Sequence, residues 1–178
     1  MMRSKLLLAA LCLAVAAPAS ALQGDDIASK IINDPSAPQV VGAKSSLRND
    51  ANVQGGKALR IQVAAKGKNN WDAFASSPIQ KPVKAGDKLM LAFWARLEKG
   101  EGGAATSTLP FTGVQVSSPP YPSVFNEAVQ VGPEWKLHEV KGTADKDYAA
   151  GSLGVSIHLA NAKQTIDLGP IFVLDMGQ

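Results

Sequence analysis

Trp94 and Arg96 stand two residues apart in the run "KLMLAFWAR" (88–96). On a β-strand that spacing places both side chains on one face, while Leu89, Leu91, Phe93 and Ala95 take the other. An indole packs against the C–H face of a sugar ring, and a guanidinium donates hydrogen bonds to hydroxyls. Ala92 shares the face and leaves room for a ligand to lie flat. Arg60 and Gln62 occupy the equivalent face of "ALRIQVAA" (58–65), and Gln115 that of "FTGVQVSS" (111–118). These residues form a candidate glycan platform. The rival reading is that a loop or the N-terminal segment covers Trp94, and that Arg96 pairs with an acid.

Four other aromatic or imidazole groups need placing. Trp71, in "NNWDAF", sits on a loop approaching a strand, where it packs inward or edges a cleft. Tyr121 lies in the stiff "SSPPYPS" loop, as a rim aromatic or a loop anchor. Trp135 opens a strand in register with Leu137 and is expected in the core. His138 and His158 fall in different strands, neither with a second His at metal-ligand spacing, and both read as exposed strand residues.

Other chemistries lack their residues. There is no G-x-S-x-G elbow, and no glycine-rich phosphate loop opening a helix. The one cysteine, Cys12, lies within the apolar N-terminal run. Glycoside hydrolysis needs two converging carboxylates. Asp72, Glu98, Glu101, Glu127, Glu134, Glu139 and Asp167 supply the group, mostly in turns or at strand ends, so hydrolysis stays open without being favoured.

The elements that would position these groups are mostly strands. Residues 1–21 read as a secretory signal peptide: Arg3 and Lys5, an apolar run from Leu6 to Ala17, and Ala19-Ser20-Ala21 before cleavage after Ala21. A periplasmic or secreted product is expected. Residues 22–38 form an N-terminal segment whose "DIASKIIN" suggests two helical turns capped by Asp25 and stopped by Pro35. From residue 39 to 178, alternating runs are separated by Gly and Pro turns. The runs near 58–65, 88–96, 111–118, 123–131, 135–142, 153–160 and 164–175 read as strands, with a bulge or bend at Gly169-Pro170. Eight or so strands, each with one apolar and one mixed face, predict an all-β antiparallel jelly-roll sandwich with a short N-terminal helix.

Charge excludes little and favours less. The sequence carries 18 basic and 15 acidic residues, and removal of Arg3 and Lys5 brings it close to neutral. That gives no case for nucleic acid or an anionic membrane as partner.

Taken in order, "GGKALRIQV", "NNWDAF", "PVKAGDKLMLAFWAR", "VGPEWKLHEVKG", "LGVSIHLA" and "TIDLGPIFVLD" resemble carbohydrate-binding modules of families 4, 9, 16 and 22. These are galactose-binding-like β-sandwiches. The resemblance covers about Gln54 to Asp175. It implies a non-catalytic protein that binds a polysaccharide such as xylan or β-glucan on a sheet face, acting alone or with a separate glycan-degrading enzyme. The matching positions are Arg60, Trp94 and Arg96, then Gln115 and His158, with Trp71 and Tyr121 as the remaining aromatics. It also implies a structural calcium ion, for which Asp167 is the candidate ligand. The second aromatic usual on the binding face is not evident in this sequence. The other function class the residues allow is a structural or protein-interaction sandwich of the periplasm.

Overall fold

In a computed structural model, the structure describes residues 24–36 and 38–178. The signal-peptide segment and its cleavage point lie outside the described residues, and so does the side chain of Asp25 as a cap. Among the described residues, one helix, α1 (Gly24–Lys30), is followed by ten strands. They are β1 (Gln39–Val41), β2 (Lys44–Asn49), β3 (Lys57–Val63), β4 (Phe74–Pro78), β5 (Lys88–Lys99), β6 (Ser107–Val116), β7 (Ser123–Val131), β8 (Lys136–Thr143), β9 (Leu153–His158) and β10 (Gln164–Asp175). All pairings are antiparallel. One sheet has the order β1-β4-β9-β6-β7 and the other β2-β3-β10-β5-β8.

The two sheets bury one shared core. Leu89, Leu91, Phe93 and Ala95 of β5 point into it, as alternation requires, along with Ile166, Leu168, Ile171 and Val173 of β10. From the opposite sheet come Ala75, Val114, Val155 and Ile157. Burying such branched side chains contributes about 1.5–3 kcal/mol each, which is what drives sheet on sheet. The expected bulge is present: the β10–β5 register shifts between Leu168 and Ile171, so Gly169 and Pro170 stand opposite Trp94. A Cβ on Gly169 would lie 2.6 Å from Val53 Cγ2 and 2.8 Å from Trp94 Cβ, so only glycine lets the bulge seat there.

Two expectations are corrected. Strand β8 runs one residue out of the expected register: His138 and Val140 are buried, whereas Leu137 is 39% exposed and Trp135 half-buried. A one-residue slip exchanges the faces of a whole strand. His138 is therefore a core residue, stacked on Phe93 with ring centroids 5.3 Å apart. The second correction concerns the N-terminal segment. The helix ends at Lys30, and residues 31–33 run extended between the sheets. Ile32 donates its N–H to the Val173 carbonyl (2.9 Å) and accepts from Gln80 (2.7 Å). Asn33 is buried and ties both sheets: its Nδ2 donates to Ser77 Oγ and to the Ile171 carbonyl, and its Oδ1 accepts from the Val173 N–H, each at 2.8 Å. An Asn amide can replace a peptide group in this way, closing a seam that helical periodicity in "IIN" does not foretell.

Candidate functional site

The expected binding residues divide between the two outer faces of the sandwich. Arg60 (β3), Trp94 and Arg96 (β5) and Asp167 (β10) lie on the β2-β3-β10-β5-β8 sheet. Gln115 (β6) and His158 (β9) lie on the other, so Gln115 does not share a face with Trp94. Strand alternation gives the face of a residue relative to its own strand only. Which sheet that strand joins is a tertiary fact.

On the first face, charges satisfy one another. Asp167 is fully buried and accepts from three arginines. Arg60 reaches it twice, Nε to Oδ1 at 2.8 Å and Nη2 to Oδ2 at 3.0 Å; Arg48 Nη1 donates at 3.0 Å and Arg96 Nε at 2.9 Å. Burial pushes its carboxyl up, but the hydrogen bonds from Arg60 and Arg96 outweigh this and hold it below the ordinary carboxylate range. Glu98 pairs with Arg60 (2.8 Å) and Arg96 (3.0 Å). Arg96 also lies over the Trp135 ring at 5.3 Å. Trp135 in turn donates Nε1 to Asp50 Oδ2 at 3.1 Å.

The geometry bears on two of the sequence readings: for Trp94 and Arg96 it is the rival reading, a covered indole and an arginine paired with an acid, that describes the surroundings. Trp94 is half-buried, and its Nε1 donates to Gln54 Oε1 at 3.3 Å, so its cover comes from the 53–56 segment; α1 packs against β10. Asp167 does not fit a calcium ligand, because its oxygens face three guanidinium groups that would repel a cation. Among the described residues, no group of three or more His, Cys, Asp or Glu could hold a metal ion.

The other face, on the β1-β4-β9-β6-β7 sheet, has a different chemistry. In β9, Leu153, Val155 and Ile157 point into the core, and Gly154, Ser156 and His158 take the other face, but Ser156 and His158 are buried there, so His158 is not the exposed strand residue expected. The register sets Ser76 of β4 and Gly113 of β6 beside Ser156, and Pro78 and Gln115 beside Gly154. At the centre of this face Ser156 and Gly113 are buried, and Ser76, Gly154, Gln115 and Pro78 keep the exposed surface. A Cβ on Gly113 would lie 2.0 Å from the Phe125 carbonyl oxygen, so β7 approaches that strand closely.

At one end, aromatic rings gather. His158 stacks on Phe111 with centroids 4.5 Å apart and planes 20° apart, and Trp71 meets His158 edge-on at 6.1 Å. Phe74 pairs with His158 across β4. Burial lowers the His158 pKa, so the ring is neutral at pH 7 and none of these side chains is charged. Trp71 remains 58% exposed, on a turn that is tightly fixed. The Asn69 N–H donates to Asp72 Oδ2 (2.8 Å), Asp72 N–H to the Asn69 carbonyl (3.1 Å), and Ala160 N–H to the Asn70 carbonyl (3.1 Å). Gly42 presses on the same turn: at φ +73°, its Cβ would fall 1.8 Å from the Asp72 carbonyl oxygen. At the opposite end, beyond Gln115, the β6–β7 turn carries Tyr121, 52% exposed and at φ +58°. His158 and Gly154 are four residues apart, so the strip between the two ends is about 13 Å long.

Phe111 and Phe74 were not singled out from the sequence. Phe111 has the same parity as Gln115 in β6, so alternation already places it outward. What the sequence hides is the lateral neighbour, His158 on β9, that makes a stack of it.

No protein-family model matches the chain, and no curated protein matches it. Solved structures do. The chain is similar to a structure described as "CBM4 structure and function" (15% identity, 78% of this chain and 94% of that one, TM-score 0.57). It is also similar to the N-terminal cellulose-binding domain of Cellulomonas fimi β-1,4-glucanase C (14%, 80% and 90%, TM-score 0.57). A third is the CBM22-1 xylan-binding domain of Paenibacillus barcinonensis Xyn10C (17%, 84% and 93%, TM-score 0.52). The chain has the β-sandwich fold of these carbohydrate-binding modules.

Proposed function

We propose that this chain is an exported, non-catalytic module that binds a polysaccharide such as xylan or β-glucan on the outer face of the β1-β4-β9-β6-β7 sheet. One observation carries the reading: exposed Trp71 stands beside the stacked Phe111–His158 pair, at the end of a strip of serine and glycine. The partly exposed Ser76, Gly154 and Gln115 give a sugar chain a surface to lie on along the strands. The indole offers a flat apolar surface to the C–H face of a ring, and the partly exposed Gln115 and Ser76 offer hydrogen bonds to hydroxyls. Such a site uses shape and stacking, which suits a neutral glycan. Similarity to domains described as cellulose- and xylan-binding supports the same class. Binding without turnover is favoured because both histidines are held in ring stacks and Asp167 is locked among arginines. A separate glycan-degrading enzyme would then act beside it.

Native affinity electrophoresis through gels containing xylan or β-glucan tests this. Retardation of the wild type, lost in Trp71→Ala and kept in Trp94→Ala, is the expected result. Equal mobility of wild type and Trp71→Ala on every glycan tested would overturn it.

A further inference from the structure

A second recess lies on a different side of the molecule, where β2 begins, β3 and β5 end and β10 begins. It has a volume of about 960 Å³, within the range of small-molecule sites. Lys44, Lys99 and Lys163 line it from three separate elements, together with Gln62, Thr165 and the Gly100–Gly103 loop. No carboxylate pairs with any of the three lysines among the described residues, although Glu101 is also on the lining. Among the described residues, no aromatic side chain lines the recess, so a neutral sugar finds no ring to pack on there. What it offers is three ammonium groups and the polar groups of Gln62 and Thr165.

We propose that this recess binds an acidic sugar, a uronate whose carboxylate is held by Lys44, Lys99 and Lys163 and whose hydroxyls meet Gln62 and Thr165. Ammonium groups in a concave, partly walled site attract a carboxylate more strongly than the same groups spread over a flat surface. The recess is also next to the aromatic strip. Gly42 lines it and touches the turn that carries Trp71. A glycan with a neutral backbone and uronate substituents would therefore find both kinds of surface on adjoining sides of one domain. The uronate site does not depend on the aromatic strip and goes beyond the reading above.

Nuclear magnetic resonance titration of the full chain with di- and trigalacturonate, and with the neutral xylo-oligosaccharide of equal length, separates the two sites. Uronate oligomers are expected to shift the amides of 42–44, 99–103 and 163–165, and to bind about tenfold more weakly to the Lys99→Met/Lys163→Met double variant. Raising salt from low to 0.5 M should weaken the same binding, as screening requires. Trp71→Ala should leave uronate affinity unchanged, whereas the double variant should leave neutral-glycan binding unchanged. Both lysines are exposed, so the double variant keeps the core intact. Three results would each overturn the proposal: no shifts in those segments at low salt, a double variant that binds as the wild type does, or competition by inorganic phosphate at equal concentration. The last would mark the recess as a general anion patch.

Discussion

The guanidinium of Arg60 meets the carboxylate of Asp167 with two parallel hydrogen bonds, at 2.8 and 3.0 Å, across paired strands β3 and β10. The fork geometry matches a carboxylate as an ammonium does not. Because Asp167 is wholly buried, removing it would leave three arginines facing a vacated centre. Asp167→Ala is expected to lose about 3–5 kcal/mol of stability, read by urea unfolding. Arg60→Lys should lose less but measurably, since one of the paired bonds disappears. A carboxylate whose folded pKa is depressed stabilises the fold above the unfolded value, near 3.9, and loses that stabilisation as pH falls through the folded value. The wild type should therefore show an acid-side loss below about pH 4 that is smaller in Asp167→Ala, where the other depressed carboxylates, among them Asp50 and Asp147, supply what remains. Equal acid profiles would show that Asp167 is not a main contributor.

Asn33 joins the two sheets through three hydrogen bonds of 2.8 Å made by one buried amide. In Asn33→Ala the Val173 N–H and the Ile171 carbonyl lose their partner inside the protein. We expect a loss of about 2–4 kcal/mol, from a cavity and orphaned backbone groups together. Asn33→Asp keeps the acceptor but not the donor and should be nearly as damaging. A loss under about 1 kcal/mol in both would mean that water replaces the amide without cost. Hydrogen exchange at Val173 reads the same seam directly, and should quicken in either variant.

His138 is packed against Phe93, with its Nε2 buried and unpaired. Burial lowers its pKa, with a smaller contribution from Lys136. In the unfolded chain the imidazole takes up a proton near pH 6.5, whereas in the folded protein it resists until lower pH. Unfolded chains thus bind more protons in that window, and stability falls as pH drops below about 6.5. His138→Leu removes both the orphan nitrogen and this proton linkage. At pH 7 its stability should match or exceed the wild type by about 1 kcal/mol. Its decline between pH 6.5 and 5 should be shallower, with His158 supplying what remains. An unchanged slope would refute the assignment.

Much of the core was legible because alternation is local. Leu89, Leu91, Phe93 and Ala95 point inward as their spacing requires, and Gly169-Pro170 marks the bulge by composition. β8 went the other way because "WKLHEVKG" has apolar residues on both parities, and only the neighbouring β5 decides which faces in. Polar strands such as "KSSLRN" (β2) and "FASSP" (β4) carry no hydrophobic period and were invisible without their partners. The surroundings of the candidate residues were hidden for a related reason. Trp94 and Arg96 look unsatisfied along the chain, yet Asp167, 71 residues after Arg96, satisfies the arginine. Trp71 looks like a loop residue, yet a stack from β6 and β9 makes it the edge of a surface.

Three indoles occupy three environments, and that difference can be measured. Trp71 is 58% exposed, whereas Trp94 and Trp135 are half-buried and donate hydrogen bonds to Gln54 and Asp50. Acrylamide should therefore quench mainly Trp71, and Trp71→Phe should remove most of the quenchable emission while Trp94→Phe leaves it in place. If a neutral glycan stacks on Trp71, its addition should protect the wild type from quenching and shift the emission to shorter wavelength. Loss of the ring in Trp71→Ala should weaken that glycan by about 1.5 kcal/mol or more, roughly tenfold. A ligand that protects Trp94 instead would move the neutral-glycan site to the arginine face, against the geometry of its own ion pairs.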